Sequence, residues 1–96
     1  MSVLEKFTKQ PGETQDYDIS FVDYLAALSD TQKSASPLAV TADTGITLLS
    51  STCVAGVAKV WLSGGTDGTT YKITATLTTT GGRIKEAEIA IKVKEI

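Results

Sequence analysis

Few residues of this chain could perform acid–base, nucleophilic or metal chemistry. The 96-residue sequence contains no His, so the commonest general acid–base residue and the commonest metal ligand are both missing. A His-dependent catalytic triad and a His-ligated metal site are therefore excluded. Cys53 is the single cysteine, and with no imidazole beside it to lower its pKa we expect a small apolar filler rather than a nucleophile.

Acidic residues near the N-terminus are the remaining candidates for metal binding. Four of them could serve as calcium ligands: Glu13, Asp16, Asp18 and Asp23. Their spacing lacks the D-x-[DN]-x-[DN]-G arrangement of a calcium loop, so a solvated acidic face is the better interpretation. The 11 acidic residues of the chain form no catalytic constellation. We therefore expect no enzyme, no metal site and no cofactor.

The glycine-rich segment 64–68 has the composition of a phosphate loop but not its spacing. It reads Gly-Gly-Thr-Asp-Gly, which fits neither GxxxxGK[ST] nor GxGxxG. It also joins two predicted strands, whereas those motifs lead from a strand into a helix. The segment is therefore predicted to be a plain turn.

The net charge of −2 is unevenly distributed along the chain. Residues 1–30 contain two Lys and six acidic residues, whereas residues 31–96 contain seven basic and five acidic residues. This asymmetry predicts head-to-tail contact between copies. Because Lys and Arg form no cluster that could neutralise phosphates, nucleic acid is not an expected partner.

The sequence also gives expectations about the cellular compartment. No stretch approaches the roughly 18 apolar residues of a membrane span, and residues 1–15 lack the apolar run of a signal peptide. A single cysteine permits no intramolecular disulfide. We therefore expect synthesis in a reducing cytoplasm and no membrane partner.

Alternation of apolar and polar residues predicts an all-β fold. In segment 70–79 apolar residues recur at every second position, and segment 84–94 repeats the pattern after a Gly-Gly turn. Because glycines can take the positive φ values of tight turns, these segments predict an antiparallel hairpin. Ile84 is out of phase with the rest of its strand, which predicts a bulge near Lys85.

Further strand-sized segments and one helical segment precede this hairpin. The spacing i, i+3, i+4, i+7 of apolar residues in 21–28 predicts one or two helical turns that plug an end of the fold. An immunoglobulin-like β-sandwich of six to seven antiparallel strands is the expected architecture. Residues 1–12 are predicted to be an N-terminal arm or edge strand, and residues 13–96 the sandwich domain. The other predicted strands lie at 7–9, 17–21, 36–43, 46–53 and 58–63.

A tyrosine corner is predicted at the start of segment 70–79. In immunoglobulin-like sandwiches, a Tyr near the start of strand F bonds back to the backbone of the preceding turn. Tyr71 follows the turn residues Asp67 and Gly68 in this way, which makes 70–79 the expected F strand and 84–94 the expected G strand. The other expected structural residues are the turn glycines Gly81 and Gly82.

Trp61 is the main candidate for partner binding. Its alternation with Ala58 places it, together with Lys59, on the more polar face of its strand, although it would be core if Val60 faced outward. An exposed Trp can anchor a partner, since Trp is enriched at interface hot spots; covering a sheet edge is the alternative. The apolar residues of the arm could reach a neighbouring subunit and complete the predicted partner-binding set: Val3, Leu4 and Phe7.

Several short elements, in this order, resemble one known family. They are Phe7-Thr8-Lys9-Gln10-Pro11, Tyr17-Asp18-Ile19-Ser20-Phe21, Tyr24-Leu25, Gly45-Ile46-Thr47, Val60-Trp61-Leu62-Ser63-Gly64-Gly65, Gly68-Thr69-Thr70-Tyr71, Thr80-Gly81-Gly82-Arg83 and Ile91-Lys92-Val93. Together they are similar to the small single-domain immunoglobulin-like proteins of tailed bacteriophages and prophages, often called fibre–tail adaptors. The similarity spans nearly the whole chain.

This resemblance implies a non-enzymatic structural component of the virion. Its partners would be other virion proteins at the neck, tail, fibre or capsid, and copies of itself in a homo-oligomer or ring. The alternative is an immunoglobulin-like module that binds carbohydrate or a host surface. In that case Trp61, Tyr17 and Tyr24 could stack on sugar rings.

Overall fold

Short strands dominate the chain from its N-terminus onwards. A computed structural model describes residues 3–34 and 37–95, without the side chains of Val3 and Leu4. Within these residues there are seven strands and one helix. They are β1 (Val3–Lys9), β2 (Thr14–Ser20), α1 (Val22–Ala27), β3 (Leu38–Ala42), β4 (Ile46–Val54), β5 (Val57–Gly64), β6 (Thr69–Thr78) and β7 (Ile84–Val93). Within the same ranges, no helix is long and apolar enough to cross a membrane.

The strands form a sandwich of two sheets. One sheet has the order β1-β7-β6-β3 and the other the order β2-β5-β4. If the strands are lettered in the immunoglobulin manner, the second sheet is B-E-D and the first contains G-F-C, with β1 beside strand G. The predicted all-β, immunoglobulin-like sandwich is thus confirmed. One detail differs, since β1 and β7 are parallel and not antiparallel.

The β6–β7 hairpin is confirmed, but the bulge predicted near Lys85 is wrong. The two strands pair without a register shift from Thr69–Val93 to Thr78–Ile84. Ile84 is out of phase because it points to the outer face, where it is 70% exposed. Shifts of register occur instead in β1, between Val3 and Glu5, and in β4, around Leu49.

The core lies between the two sheets and follows the alternation along each strand. The inward residues of β6 and β7 face those of β2 and β5, and nearly all of them are inaccessible to solvent. Fully buried members are Ile19, Ala58, Val60, Leu62, Ile73, Ala75, Leu77, Ile89, Ile91 and Val93. Burying one side of every strand leaves the other side of each sheet facing outward.

The N-terminal segment forms an edge strand of the four-stranded sheet. Phe7 packs its ring on that of Tyr17 in the other sheet, with ring centroids 4.8 Å apart. Lys9 is 1% exposed, and its Nζ donates to the carbonyl oxygens of Gln10 at 2.8 Å and Gly64 at 2.7 Å. Burial lowers the pKa of Lys9. The bond to Gly64 fastens the end of β1 to the end of β5.

The short helix α1 closes one end of the sandwich, as the apolar spacing predicts. Phe21 and Leu25 are buried, while Leu28 after the helix is 40% exposed. The Phe21 amide donates to the Gly56 carbonyl at 2.7 Å, which ties the start of the helix to the β4–β5 turn. Gly56 has φ +83°, and a Cβ there would lie 3.0 Å from Leu25. A side chain at this position would strain the backbone, and its Cβ would require a small shift of Leu25.

The predicted corner around Tyr71 closes the opposite end. The Tyr71 hydroxyl accepts a hydrogen bond from the Thr66 amide at 2.9 Å, the geometry of a tyrosine corner. Hydrogen bonding to Thr66 also lowers the pKa of Tyr71. Asp67 accepts from the Glu95 amide at 2.8 Å, and the Gly68 amide donates to Val93 at 2.7 Å. The corner is thus joined to the end of β7.

The β6–β7 turn is longer than the Gly-Gly dipeptide alone. It spans residues 79–83, and of its glycines only Gly82, at φ +88°, has a positive φ. The Gly81 amide donates to Asp30 at 3.1 Å, and Arg83 binds the same carboxylate at 2.8 Å. Hydrogen bonding to the Thr79 side chain and to the Thr31 amide, with smaller contributions from Arg83, lowers the pKa of Asp30 to about 2.

The Tyr71→Phe variant tests the corner. Phe keeps the ring but leaves the Thr66 amide without its acceptor, so we expect Tm to fall by roughly 5 °C. Thermal unfolding followed by circular dichroism measures this. Tyr24→Phe, which removes a hydroxyl far from the corner, is the matched control. Equal Tm changes in the two variants would contradict the assigned role.

The Asp30→Asn variant tests the carboxylate in the β6–β7 turn. Because the pKa of Asp30 is lower in the folded chain than in the unfolded chain, its ionised form stabilises the fold above about pH 4. That contribution is lost as the pH falls through about 2. We expect the variant to unfold at lower temperature at pH 7, and the gap from wild type to close near pH 2. A gap independent of pH would contradict this.

Candidate partner-binding surface

The outward side of β5 carries the main candidate residues. Ala58, Val60 and Leu62 are fully buried, so the alternate residues point away from the core. Among these, Trp61 is 40% exposed and lies on the central strand of the three-stranded sheet. We call the outward side of this sheet the Trp61 face. The residues of its central part are Asp16, Asp18, Leu49, Ser50, Thr52, Lys59 and Trp61, and Val54 lies towards one end.

Lys59 organises the charges of the Trp61 face. Its Nζ lies 2.8 Å from Asp16 Oδ2 and 3.1 Å from Asp18 Oδ1, across the β2–β5 ladder. The bond from Lys59 lowers the pKa of Asp16, and the bonds to Asp16 and then Asp18 raise the pKa of Lys59. Two of the four acidic residues considered for calcium are therefore held by a lysine. Asp16, Asp18 and Lys59 together carry a net charge of −1.

An irregularity in β4 adds apolar surface next to Trp61. Leu48 pairs with Leu62 and Ser50 with Trp61, so Leu49 is the extra residue of a bulge. Leu49 is 54% exposed. Two large apolar residues thus occupy neighbouring positions on the outer side of one sheet, where a partner could bury both.

The other predicted partner residues are placed differently. Val3 and Leu4 lie in β1, but their side chains are outside the described residues. Phe7 is half-buried and packs on Tyr17, so its ring supports the core. The structure brings Trp61 and Lys59 together on one face and places β1 in the opposite sheet.

A network around Gln32 is a structural site that the sequence analysis missed. The Gln32 side-chain amide donates to the Cys53 carbonyl at 3.0 Å, and its oxygen accepts from the Gly56 amide at 2.8 Å. The Cys53 thiol donates to the same oxygen at 3.2 Å. A glutamine in a polar loop gives no signal in the sequence, because its partners are more than 20 residues away. The network fixes the loop against the β4–β5 turn.

A cavity of about 300 Å³ lies beside this network, between α1 and the β4–β5 turn. Its walls are largely apolar and include Val22, Leu25, Ala26, Ala55 and Gly56. In the described parts of the chain, no three acidic or thiol side chains converge as metal ligands would. What the arrangement offers is contact surface: an exposed aromatic, an adjacent leucine and a partly neutralised acidic rim.

The fold defines the class as an immunoglobulin-like β-sandwich, and its three-stranded sheet carries an exposed Trp. A family model for the podophage GP4 fiber-tail adaptor protein gp77 matches residues 9–92. The chain belongs to this family of phage structural proteins, which confirms the resemblance inferred from its sequence elements. No curated protein sequence matches the chain significantly.

Cys53 provides a test of the Gln32 network. Burial raises the pKa of the thiol, so little thiolate forms at neutral pH and reaction with a disulfide reagent should be slow. Gln32→Ala removes the acceptor and opens the site, and we expect the thiol to react several-fold faster. Absorbance of the released thiolate measures the rate. Lys33→Ala, an exposed neighbour, should react like wild type; equal rates in the two variants would contradict the network's role.

Proposed function

We propose that the chain is a non-enzymatic component of the virion that attaches fibre proteins to the tail through the Trp61 face. The family assignment supports an adaptor role, and the exposed Trp on the central strand of a sheet supports this face as the site. The proposal also places many copies in each particle. Repeated weak contacts then combine through high effective concentration.

The exposure of Trp61 is the observation that carries the proposal. Trp61 keeps 40% of its surface exposed to water, and burying that apolar area against a partner is favourable. Leu49 lies beside it and enlarges the apolar centre, while Asp16, Asp18 and Lys59 form a polar rim. This arrangement of an apolar centre within a polar rim is typical of binding interfaces.

The charges of the face favour a particular kind of partner. Lys59 neutralises only one of the two aspartates that it contacts, so the rim is acidic overall. A partner surface with a central apolar pocket and one or two basic residues at its edge would complement it. Rim charges of this kind act mainly on the association rate and on its salt dependence.

Carbohydrate or host-surface binding is less well supported. Of the three aromatics considered for stacking on sugars, Tyr17 is only 8% exposed and packs on Phe7. Tyr24 packs against the core and has Lys85 over its ring at 5.1 Å. Trp61 alone among them presents a large exposed surface, which fits a pocket in a protein better than a sugar-binding platform.

The Trp61→Ala variant tests the proposed face. We expect at least about tenfold less of the variant in purified particles, because a hot-spot aromatic is lost, with Tm within about 3 °C of wild type. Quantitative mass spectrometry of particles and thermal unfolding of the isolated protein measure the two effects. A collapse of Tm would instead show that Trp61 is part of the core.

The control is Leu28→Ala, which removes an apolar side chain with the same 40% exposure at the α1 end of the molecule. It should enter particles like wild type. Equal losses of incorporation in the two variants would contradict the proposed face. A glycan-array screen of the wild-type protein tests the alternative function, and specific binding there would favour it.

A further inference from the structure

The outward side of the four-stranded sheet carries charges of both signs, separated along the strands. We call it the Lys–Glu face, and the charged residues within its strands are Lys6, Lys72, Lys92, Glu86 and Glu88. Asp43, directly after β3, lies beside Lys72 at the edge of this face. The pairing registers place the three lysines near one end of the sheet and the two glutamates towards the other. Between and around them the face is mainly threonine and alanine, including Thr8, Thr70, Thr74, Thr76 and Ala90, with the exposed Ile84 at the glutamate end.

The lysines surround a small residue. Ala90 pairs with Lys6 on one side and with Lys72 on the other, and Lys92 is the next outward residue of β7. Ala90 is 5% exposed although it points outward. A groove of about 360 Å³ opens at this position, lined by Lys6, Phe7, Thr8, Thr70, Ala90 and Lys92. The face therefore has a recess with cationic sides.

The lysines of this face have no acidic partner in the part of the chain that the structure describes. The ion pairs found there join Lys59 to Asp16 and Asp18, and Arg83 to Asp30. Glu86 and Glu88 take part in none of them. Five charged groups on one sheet face are thus available for contacts with another molecule.

We propose that the Lys–Glu face binds the same face of a second copy across a two-fold axis. The axis lies in the plane between the two copies, runs perpendicular to the strands and crosses β7 at the level of Ile89. The two β7 strands therefore face each other in opposite directions. Position 92 of one copy lies opposite position 86 of the other, and position 90 lies opposite position 88. Lys92 of each copy then meets Glu86 of the other. Glu88 enters the recess over Ala90, between Lys6 and Lys72. Each outward charge from 86 to 92 thus finds an opposite charge, which is the self-complementarity that a two-fold interface requires.

A second copy fits this face better than an acidic partner or a nucleic acid. A uniformly anionic molecule that reached the lysines would also meet Glu86 and Glu88, and like charges in contact are repulsive. Some of the chain's other acidic charge is already engaged, as with Asp30 on Arg83 and Asp43 on the Lys72 amide. Glu86 and Glu88 of a second copy can complement the lysines, because the rotation brings them opposite Lys92 and the recess over Ala90.

The size of the face predicts a weak dimer. Four strands about 4.8 Å apart, with seven or eight residues at about 3.3 Å each, give roughly 500 Å² per copy. Both copies together would bury about 1,000 Å², near the lower limit for a specific interface. Association should therefore require high concentration, as copies have when they are held together in a particle, and should weaken as salt screens the ion pairs.

Charge reversal in the full-length protein tests the dimer. We expect wild type to dimerise in sedimentation equilibrium at low salt. Lys92→Glu and Glu86→Lys should each weaken this at least about tenfold, because each creates like-charge contacts at both symmetric positions. An equimolar mixture of the two variants should dimerise again. In the mixed dimer the two substituted positions face each other with opposite charges. The two unsubstituted positions form the natural pair of Lys92 with Glu86.

The control is Asp23→Lys, which reverses an exposed charge on α1, at the end of the sandwich and outside the face, and should dimerise like wild type. A monomeric wild type, a mixture that stays monomeric, or equal weakening by Asp23→Lys would each overturn the proposal. The inference does not depend on the proposed function, because self-association is measured on the isolated protein and Trp61 lies on the opposite sheet.

Discussion

The constraint on which the structure depends is that a β-strand alternates its side chains between two sides, while a chain of 96 residues has apolar residues for a single core. Each sheet buries one of its sides against the other sheet, and its second side must then be exposed. The position of Trp61 follows from the burial of Val60 and Leu62, and the charges around Ala90 follow from the burial of Ile89 and Ile91. The molecule is therefore a thin core between two outward faces, and both proposed interactions use a face that the core leaves free.

Sequence periodicity predicted the parts of the fold that depend on local alternation. The β6–β7 hairpin, the outward position of Trp61 and the helical plug at Leu25 all follow from residues close together in the chain. The bulge predicted near Lys85 failed because Ile84, at the end of its strand, can point outward without disturbing the ladder. An apolar residue out of phase is evidence for a bulge only where its burial is required.

Contacts between distant residues could not be predicted in this way. The burial of Lys9 depends on a carbonyl 55 residues away, and the role of Gln32 depends on a turn more than 20 residues away. Both side chains are polar and lie beside turns, where periodicity carries no information. The sequence predicted which residues belong to the candidate site but not their contacts. The ion pairs of Lys59 with two aspartates depend on the register of β2 against β5, and the packing of Phe7 on Tyr17 depends on how the two sheets face each other.

The bulge at Leu49 also affects whether other copies can add strands to the open edge of β4. β4 is an open edge of its sheet, nine residues long, and a regular edge of that length is a template on which another copy can add a strand. The extra residue interrupts the row of free amides and carbonyls near its middle. Growth of fibrils by pairing of β4 edges is thereby disfavoured. The two proposed interactions use the sheet faces, which the bulge leaves available.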